Sequence, residues 1–420
     1  MSGPNVSHPA FPDHRSAFSR QQERELKRQA ILSKASELFD EIGAANTRLE
    51  DISDQFGLSK NSVGYYFSGK DEIVLHAYRA SHDTLREAID RARASDGAPT
   101  AALMEAWAGI HEAILRRERP HVCLPREVRL LPGPSAAELQ ALFRQCLEDI
   151  EAIAAADFPR SGPVAAGLVV TALEWLSGRA RAAAEGDLSA ERAALARLFS
   201  SEPPGGAGMA PLTLTNPSSL PEIGMIFDRE TRARIKREAF LRAGVRLLNA
   251  RGYAGLSLAE VAESLGVTRG AFYYLFPDKE ALLQGCLERS WSEIETVLKS
   301  WEAAGGAPET VIANAWKELI YRQLSGAVEL VHPSLISALP DSSRAAHRAR
   351  FNALQSRLAG PLADAQAPAP TERPALESLV FAMLFVKGHA FPTAAGLEKW
   401  PASVQPSSAS VQWVEFVSRR

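Results

Sequence analysis

Apolar positions follow helical spacing along almost the whole chain, and polar punctuation cuts them into segments. Residues 23–42 carry Ile31, Ala35, Leu38, Phe39 and Ile42 on one stripe, and Gly43 closes the segment. Residues 257–266 do the same over a shorter span. Leu258, Val261, Ala262 and Leu265 share a face, Ser257 and Glu260 have the S-x-x-E spacing of a capping box, and Gly266 stands where a positive φ ends a helix. Thr268 then caps a second short helix with Arg269, Gly270, Ala271, Tyr273 and Tyr274, and Pro277 stops it. Helix, glycine turn, capped helix is the plan of a helix-turn-helix, whose second helix enters a DNA major groove. A plain helical hairpin has the same spacing. Arg269, Tyr273, Tyr274 and Lys279, gathered on one short helix and its exit, favour the DNA-reading version.

The pattern occurs twice. Residues 49–70, LEDISDQFGLSKNSVGYYFSGK, place Gly57, Tyr65, Phe67 and Lys70 each 209 positions before Gly266, Tyr274, Phe276 and Lys279. The preceding helix keeps that register: Arg28, Ala30, Leu32, Leu38 and Gly43 match Arg237, Ala239, Leu241, Leu247 and Gly252. Trp107 matches Trp316, and Gly178 matches Gly388 after a slip of one residue. A period of domain size means two homologous domains, not a solenoid.

The two stretches LAEVAESLGVTRGAFYYLFPDKEALL and LEDISDQFGLSKNSVGYYFSGKDEIV are similar to the helix-turn-helix part of the TetR/AcrR family of bacterial transcriptional regulators. The resemblance is strong in the three-helix start of each half and weak in the helices that follow. It implies an all-α fold of two units, each a three-helix head followed by a helical ligand and dimerisation bundle. Family members usually pair as homodimers with one head per chain, so the resemblance implies a covalent pseudo-dimer here. It implies double-stranded DNA and a small-molecule effector as partners.

Carried onto this sequence, the DNA-facing residues are Thr47, Lys60, Asn61, Ser62, Tyr65, Tyr66 and Lys70 in the first head. In the second they are Ser257, Thr268, Arg269, Gly270, Tyr273, Tyr274 and Lys279. Lys or Arg reads guanine O6 and N7, and Asn pairs bidentately with adenine. Lys70 and Lys279 fall where the family pattern places a phosphate-contacting lysine. Gly64 departs from that pattern, which has an aromatic there, as at Tyr273; it removes a contact and costs about 1 kcal/mol of helix stability against alanine. Lys60 to Gly64 differs throughout from Arg269 to Tyr273, so the two half-sites should differ and the operator should be an imperfect palindrome. In the alternative reading only the second head reads DNA and the first is architectural.

The resulting division is an N-terminal arm at 1–19, a first head at 20–80, a first bundle at 81–200, a linker at 201–228, a second head at 229–290 and a second bundle at 291–420. Helical patterns cover 71–95, 100–119, 135–157, 163–185, 190–200, 228–251, 280–302, 308–330 and 376–390, with a short one at 411–417. The arm has three prolines and no periodicity, which predicts disorder, and the linker is rich in Pro, Gly and Ser with almost no charge. The resemblance also implies that the last two helices of each half pack together as a four-helix junction, 164–181 and 190–199 against 374–390 and 410–419. Candidate pocket residues in the bundles are Trp107, His111, Cys146, Trp175, Trp316, Tyr321, Phe381 and Phe385. Plain bundle core accounts for the same spacing.

Charge refines this picture. The 420-residue chain has a net charge of −3, which argues against a general polyanion binder, so a DNA reader needs a local basic surface. Residues 229–290 hold 11 Arg and Lys against 7 Asp and Glu, and residues 15–80 hold 10 against 10, so the second head is the more basic. Three separated cysteines, no metal-ligand spacing and no cofactor motif fit a reduced compartment and a protein without cofactor or metal. An apolar signal segment or membrane span is not expected, which points to the cytoplasm. No nucleophile–base pair or phosphate loop supports an enzyme.

Overall fold

The computed structural model describes residues 20–44, 47–57, 60–123, 128, 134–158, 162–182, 187–199, 229–324, 328–364 and 368–385. Every regular element among them is helical. The first unit runs α1 (Arg20–Ile42), α2 (Leu49–Asp54), α3 (Lys60–Gly64), α4 (Lys70–Arg93), α5 (Pro99–Leu115), α6 (Pro134–Asp157), α7 (Gly162–Ala182) and α8 (Ser189–Phe199). The second runs α9 (Arg229–Gly255), α10 (Leu258–Ser264), α11 (Arg269–Tyr273), α12 (Lys279–Ala304), α13 (Pro308–Leu324), a 3₁₀ segment (Pro333–Ala338), α14 (Asp341–Asp364) and α15 (Arg373–Ala382), which ends in a 3₁₀ turn (Met383–Phe385). The all-α tandem architecture is therefore as expected. α14 breaks a stretch for which the sequence suggested only proline-divided segments: it buries Leu354, Leu358 and Leu362 on one side, and its other faces are polar.

Each head closes over its own core. In the first, Ile31, Ala35 and Phe39 of α1 are buried with Ile52, Val63, Phe67 and Tyr78, and Phe39 stacks on Tyr78 at 6.2 Å. In the second, Phe240 of α9 meets Phe272 edge-on at 5.1 Å, and Phe276 lies 5.8 Å from Phe272. α4 and α12 belong to head and bundle at once: α4 packs on α1, α5 and α6, and α12 packs on α9, α13 and α14.

The two units meet along α7 and α8 of the first and α15 of the second. Leu168, Leu173, Leu176 and Leu198 are buried on one side, and Leu379 and Met383 on the other. Trp175 donates its indole N–H across the junction to Ser378 Oγ at 3.2 Å, and Arg197 pairs with Glu372 at 2.9 Å. This is the expected packing for the three helices described. The fourth expected partner, at 410–419, lies outside the described residues, as do Val386, Lys387, Gly388, His389, the arm and the linker.

Candidate nucleic-acid interface

The turn between α10 and α11 is set by Gly266, at φ +64. Its N–H donates to Glu263 O at 3.0 Å and the Val267 N–H donates to Ala262 O at 3.0 Å, the paired bonds of a Schellman ending. Gly57 ends α2 at φ +61, and its N–H donates to Asp54 O at 3.2 Å. A side chain at either position would strain that backbone.

α3 and α11 are both five residues long and end in the same way. Val63 O accepts from Tyr66 N–H at 2.9 Å and Phe67 N–H at 3.1 Å; Phe272 O accepts from Leu275 N–H at 2.9 Å and Phe276 N–H at 3.0 Å. This ending sends Val63 and Phe67, or Phe272 and Phe276, into the core and turns Tyr65, or Tyr273 and Tyr274, outward. Tyr65 is 67% exposed and Tyr274 is 85% exposed. Tyr273 adds a second ring, 49% exposed, where the first head has Gly64. Large aromatic side chains held in water at matching places in both heads indicate a surface kept for a partner.

Cations brace these endings. Arg28 donates to Tyr66 O and lies 4.3 Å from the Phe67 ring centre, and Arg237 lies 4.8 Å from that of Phe276. Both guanidinium groups thus sit over the ring that anchors the recognition helix. Arg24 reaches Tyr65, 5.0 Å from its ring centre and 3.4 Å from its carbonyl oxygen. The matching position in α9 is Ala233, so this contact belongs to the first head alone. The sequence reading left Arg24, Arg28 and Arg237 out of the site; their 209-residue register with the head was the available signal for the last two.

The lysines after each turn differ. Lys279 Nζ donates to Tyr253 O at 3.3 Å and lies 5.6 Å from that ring. The position matching Tyr253 is Ala44, and partial burial lowers the Lys70 pKa. Among the other expected contacts, Thr268, Arg269 and Gly270 are exposed, and Ser62 is half-buried. Tyr66 is half-buried too, packed on the core and edge-on to Tyr65 at 5.3 Å. The side chains of Lys60 and Asn61, and all of Ser59, lie outside the described residues.

Two expectations need correction. Thr47 is only 1% exposed and its hydroxyl donates to Gly43 O at 3.0 Å, so it shapes the turn after α1 instead of facing outward. The cap of α2 falls one residue later, where Arg48 N–H donates to the Asp51 carboxylate at 2.6 Å. Ser257 occupies the N-cap of α10, yet its side chain makes no capping hydrogen bond.

In the bundles, Trp107 donates to Leu173 O at 3.1 Å, and His111 packs edge-on to it at 4.9 Å with its ring 2.9 Å from Ser177 Oγ. Full burial lowers the His111 pKa to about 3, so the ring is neutral. Burial pushes the Cys146 thiol up to about 11. Trp316 donates to Leu358 O at 3.0 Å, and Phe381 and Phe385 pack edge-on at 5.6 Å. Trp175 stands apart from the rest, since its indole serves the junction. The side chain of Tyr321 lies outside the described residues.

Comparison with known proteins agrees with this geometry. The model of "Bacterial regulatory proteins, tetR family" matches residues 31–77 and again residues 240–286. The chain is 37% identical over 79 residues to the HTH-type transcriptional regulator RutR of Escherichia coli (strain K12), which covers 19% of this chain and 37% of that protein. It is 33% identical over 72 residues to the HTH-type transcriptional regulator BetI of Stenotrophomonas maltophilia (strain R551-3), covering 17% and 37%. It is 33% identical over 93 residues to the HTH-type transcriptional regulator AcrR of Shigella flexneri, covering 22% and 41%. The matched stretch thus spans well under half the length of each relative.

Proposed function

The chain belongs to the tetR family of bacterial regulatory proteins and carries that family's N-terminal domain twice, and from this premise we propose that it is a cytoplasmic transcriptional regulator that places two covalently linked heads on one operator. The observation that carries the proposal is the repeated surface: a short helix with a buried aromatic or aliphatic anchor and a tyrosine turned into solvent, at Tyr65 and again at Tyr274. α3 and α11 enter successive major grooves on one face of DNA, about 34–36 Å or a multiple of that apart. Lys60, Asn61, Ser62 and Tyr65 read one half-site, and Arg269, Gly270, Tyr273 and Tyr274 read the other. Lys70 and Lys279 take phosphates. Because the two sets differ, the operator is an imperfect palindrome.

A small effector enters one or both bundles, near Trp107, His111 and Cys146 in the first or Trp316, Tyr321, Phe381 and Phe385 in the second. It favours the conformation whose heads are wrongly spaced and releases the DNA, acting as an inducer on a repressor. Effector and DNA then weaken each other by the same factor. The build of α4 and α12, shared between head and bundle, supports this route. A reading in which only the second head contacts bases draws support from Gly64, which offers no side chain where Tyr273 stands.

Binding-site selection with the full chain, followed by gel shift, tests both versions. An imperfect inverted repeat, with affinity lost on Tyr65→Ala as well as Tyr274→Ala, supports two reading heads. A single half-site indifferent to Tyr65→Ala supports the one-head version. Failure to enrich any sequence would overturn DNA reading altogether.

A further inference from the structure

The 209-residue register extends beyond the recognition surface into a buried clasp between each head and its bundle. In the first unit the backbone N–H of Cys123 donates to Ser81 Oγ at 2.9 Å, and Ser81 donates on to Ala77 O at 2.7 Å. In the second, Val331 N–H donates to Ser290 Oγ at 2.9 Å, and Ser290 donates on to Cys286 O at 2.9 Å. Ser81 and Ser290 are buried at matching places on α4 and α12. In both units, therefore, the loop leaving the first bundle helix is tied to the helix shared with the head.

The second half of the clasp has diverged. Asp40 of α1 and Asn249 of α9 are matching positions. Asn249 is satisfied by loop backbone: its amide donates to Leu330 O at 2.8 Å and accepts from His332 N–H at 3.0 Å. Asp40, with a side chain 3% exposed, pairs with two side chains, His121 Nε2 at 3.0 Å and Arg181 Nη1 at 2.5 Å. A carboxylate this buried is costly unless a charge answers it, so Arg181 is held where Asp40 needs it. Arg181 belongs to α7, the helix that packs on α15 of the other unit.

The second head has an ionic tie of a different kind. Arg289 of α12 meets Glu238 of α9 at 2.8 Å and lies 3.8 Å from Glu293; Arg322 of α13 lies 3.7 Å from Glu293 and 2.5 Å from Glu318. This line stays inside the second unit. Each line stays inside its own unit: the first runs from α1 to α7, the helix that also packs on α15, and the second runs from α9 through α12 to α13.

We propose that Asp40 is a positioning residue for the first head, which it ties through Arg181 to the junction between the units, while Asn249 and Arg289 position the second head from its own bundle. The inference rests on the DNA-reading proposal only for its consequence on the operator. Movement at the junction shifts the first head relative to the second, so head spacing is set asymmetrically.

The test uses the full chain and amide hydrogen exchange without DNA, after thermal melts confirm folding. Asp40→Asn and Arg181→Met should each raise exchange in α1 to α3 roughly tenfold and leave α9 to α11 unchanged, while Arg289→Met does the reverse. Arg181→Lys, which keeps the charge, should retain most of the protection that Arg181→Met loses. If Asp40→Asn does not fold, the Arg181 pair carries the test alone, since Arg181 is partly exposed. Equal loosening of both heads, no loosening of either, or Arg181→Lys behaving like Arg181→Met would overturn the proposal. The same variants are then titrated with the duplex recovered by selection. If exchange behaves as expected but no duplex is recovered, the coupling stands and the DNA reading is what fails.

Discussion

The two heads share a backbone and differ in almost everything laid on it. Both use a glycine at positive φ to end the scanning helix, a five-residue recognition helix, an outward tyrosine and an arginine over a buried phenylalanine. The first has lost an aromatic at Gly64, gained Arg24 against Tyr65, and anchors through Asp40. The second keeps Tyr273, seats Lys279 on Tyr253, and lets α9 and α12 approach closely at Gly244 and Gly285. The matching positions in the first unit are Ala35 and His76. Once two domains are fused, a change in one no longer appears in its partner. The geometry that exposes the short helix is common to both, while the contacts and anchorage differ.

The largest effects should come from breaking what is common. Phe67→Ala and Phe276→Ala remove equivalent buried rings, and each should cost about 3–5 kcal/mol of the stability of its own head. Urea titrations followed by exchange in α1 to α3 and in α9 to α11 measure this. A cost in one head less than half that in the other would mean that the two frames are not equivalent.

The bundles supply a second contrast, between His111 and its counterpart Ile320. The His111 pKa is about 3 in the folded protein, below the ordinary 6.5, because burial disfavours the charged ring. The unfolded chain therefore takes up the proton first. The stability held above pH 6.5 is lost as pH falls toward 3, by about 1.4 kcal/mol per pH unit from this one group. His111→Ile should flatten that component, so the wild-type and variant stability curves should diverge progressively below pH 6.5. Parallel curves between pH 5 and 7 would contradict the assignment.

Much of this molecule can be read from the order of its residues, and the parts that cannot share a physical reason. Gly57, Gly266, Phe67 and Phe276 announce themselves because backbone chirality and burial each admit few residue types. Thr47 has the chemistry of a DNA-facing residue but is held inward by its bond to Gly43, a contact that spacing does not reveal. Trp175 looks like any bundle tryptophan until Ser378, 203 residues away, supplies its partner. α14 carries Leu354, Leu358 and Leu362 at helical spacing, but Pro361 stands among them and reads as a helix breaker. The clasp escaped notice because it is made largely of loop backbone, which leaves no periodic trace, and the alignment of Asp40 with Asn249 gains meaning only once their partners are seen.

Close helix approach gives an intermediate effect. A Cβ at residue 285 would fall 3.0 Å from Leu241 Cδ2 and 3.2 Å from Phe276 Cε1. Leu241 can turn away, but the fully buried Phe276 ring cannot. The overpacking of about 1–3 kcal/mol should exceed the roughly 1 kcal/mol alanine gains over glycine in a helix. Gly285→Ala should therefore destabilise the second head by about 1 kcal/mol in a urea titration. His76→Gly in the first head should lose a few tenths of a kcal/mol through helix propensity, together with the contact of the His76 ring with Phe67 at 6.3 Å. A stabilised Gly285→Ala protein would show that α9 and α12 are not pressed together there.

An effect of comparable size decides between the two functional readings. A Cβ at Gly64 meets nothing within 4 Å, so a larger side chain enters open space and the helix gains. Gly64→Tyr restores the aromatic that Tyr273 provides in the second head. If the first head lies on DNA, this variant should tighten binding to the selected duplex by roughly tenfold, and scrambling the first half-site should abolish the gain. Tyr273→Gly should weaken binding by a similar factor at the other half-site. Should Gly64→Tyr leave affinity unchanged while Tyr273→Gly lowers it, the first head makes no contact there. The divergence at Gly64 would then record release from base reading, and the common frame would survive in the first head because it holds the second in place.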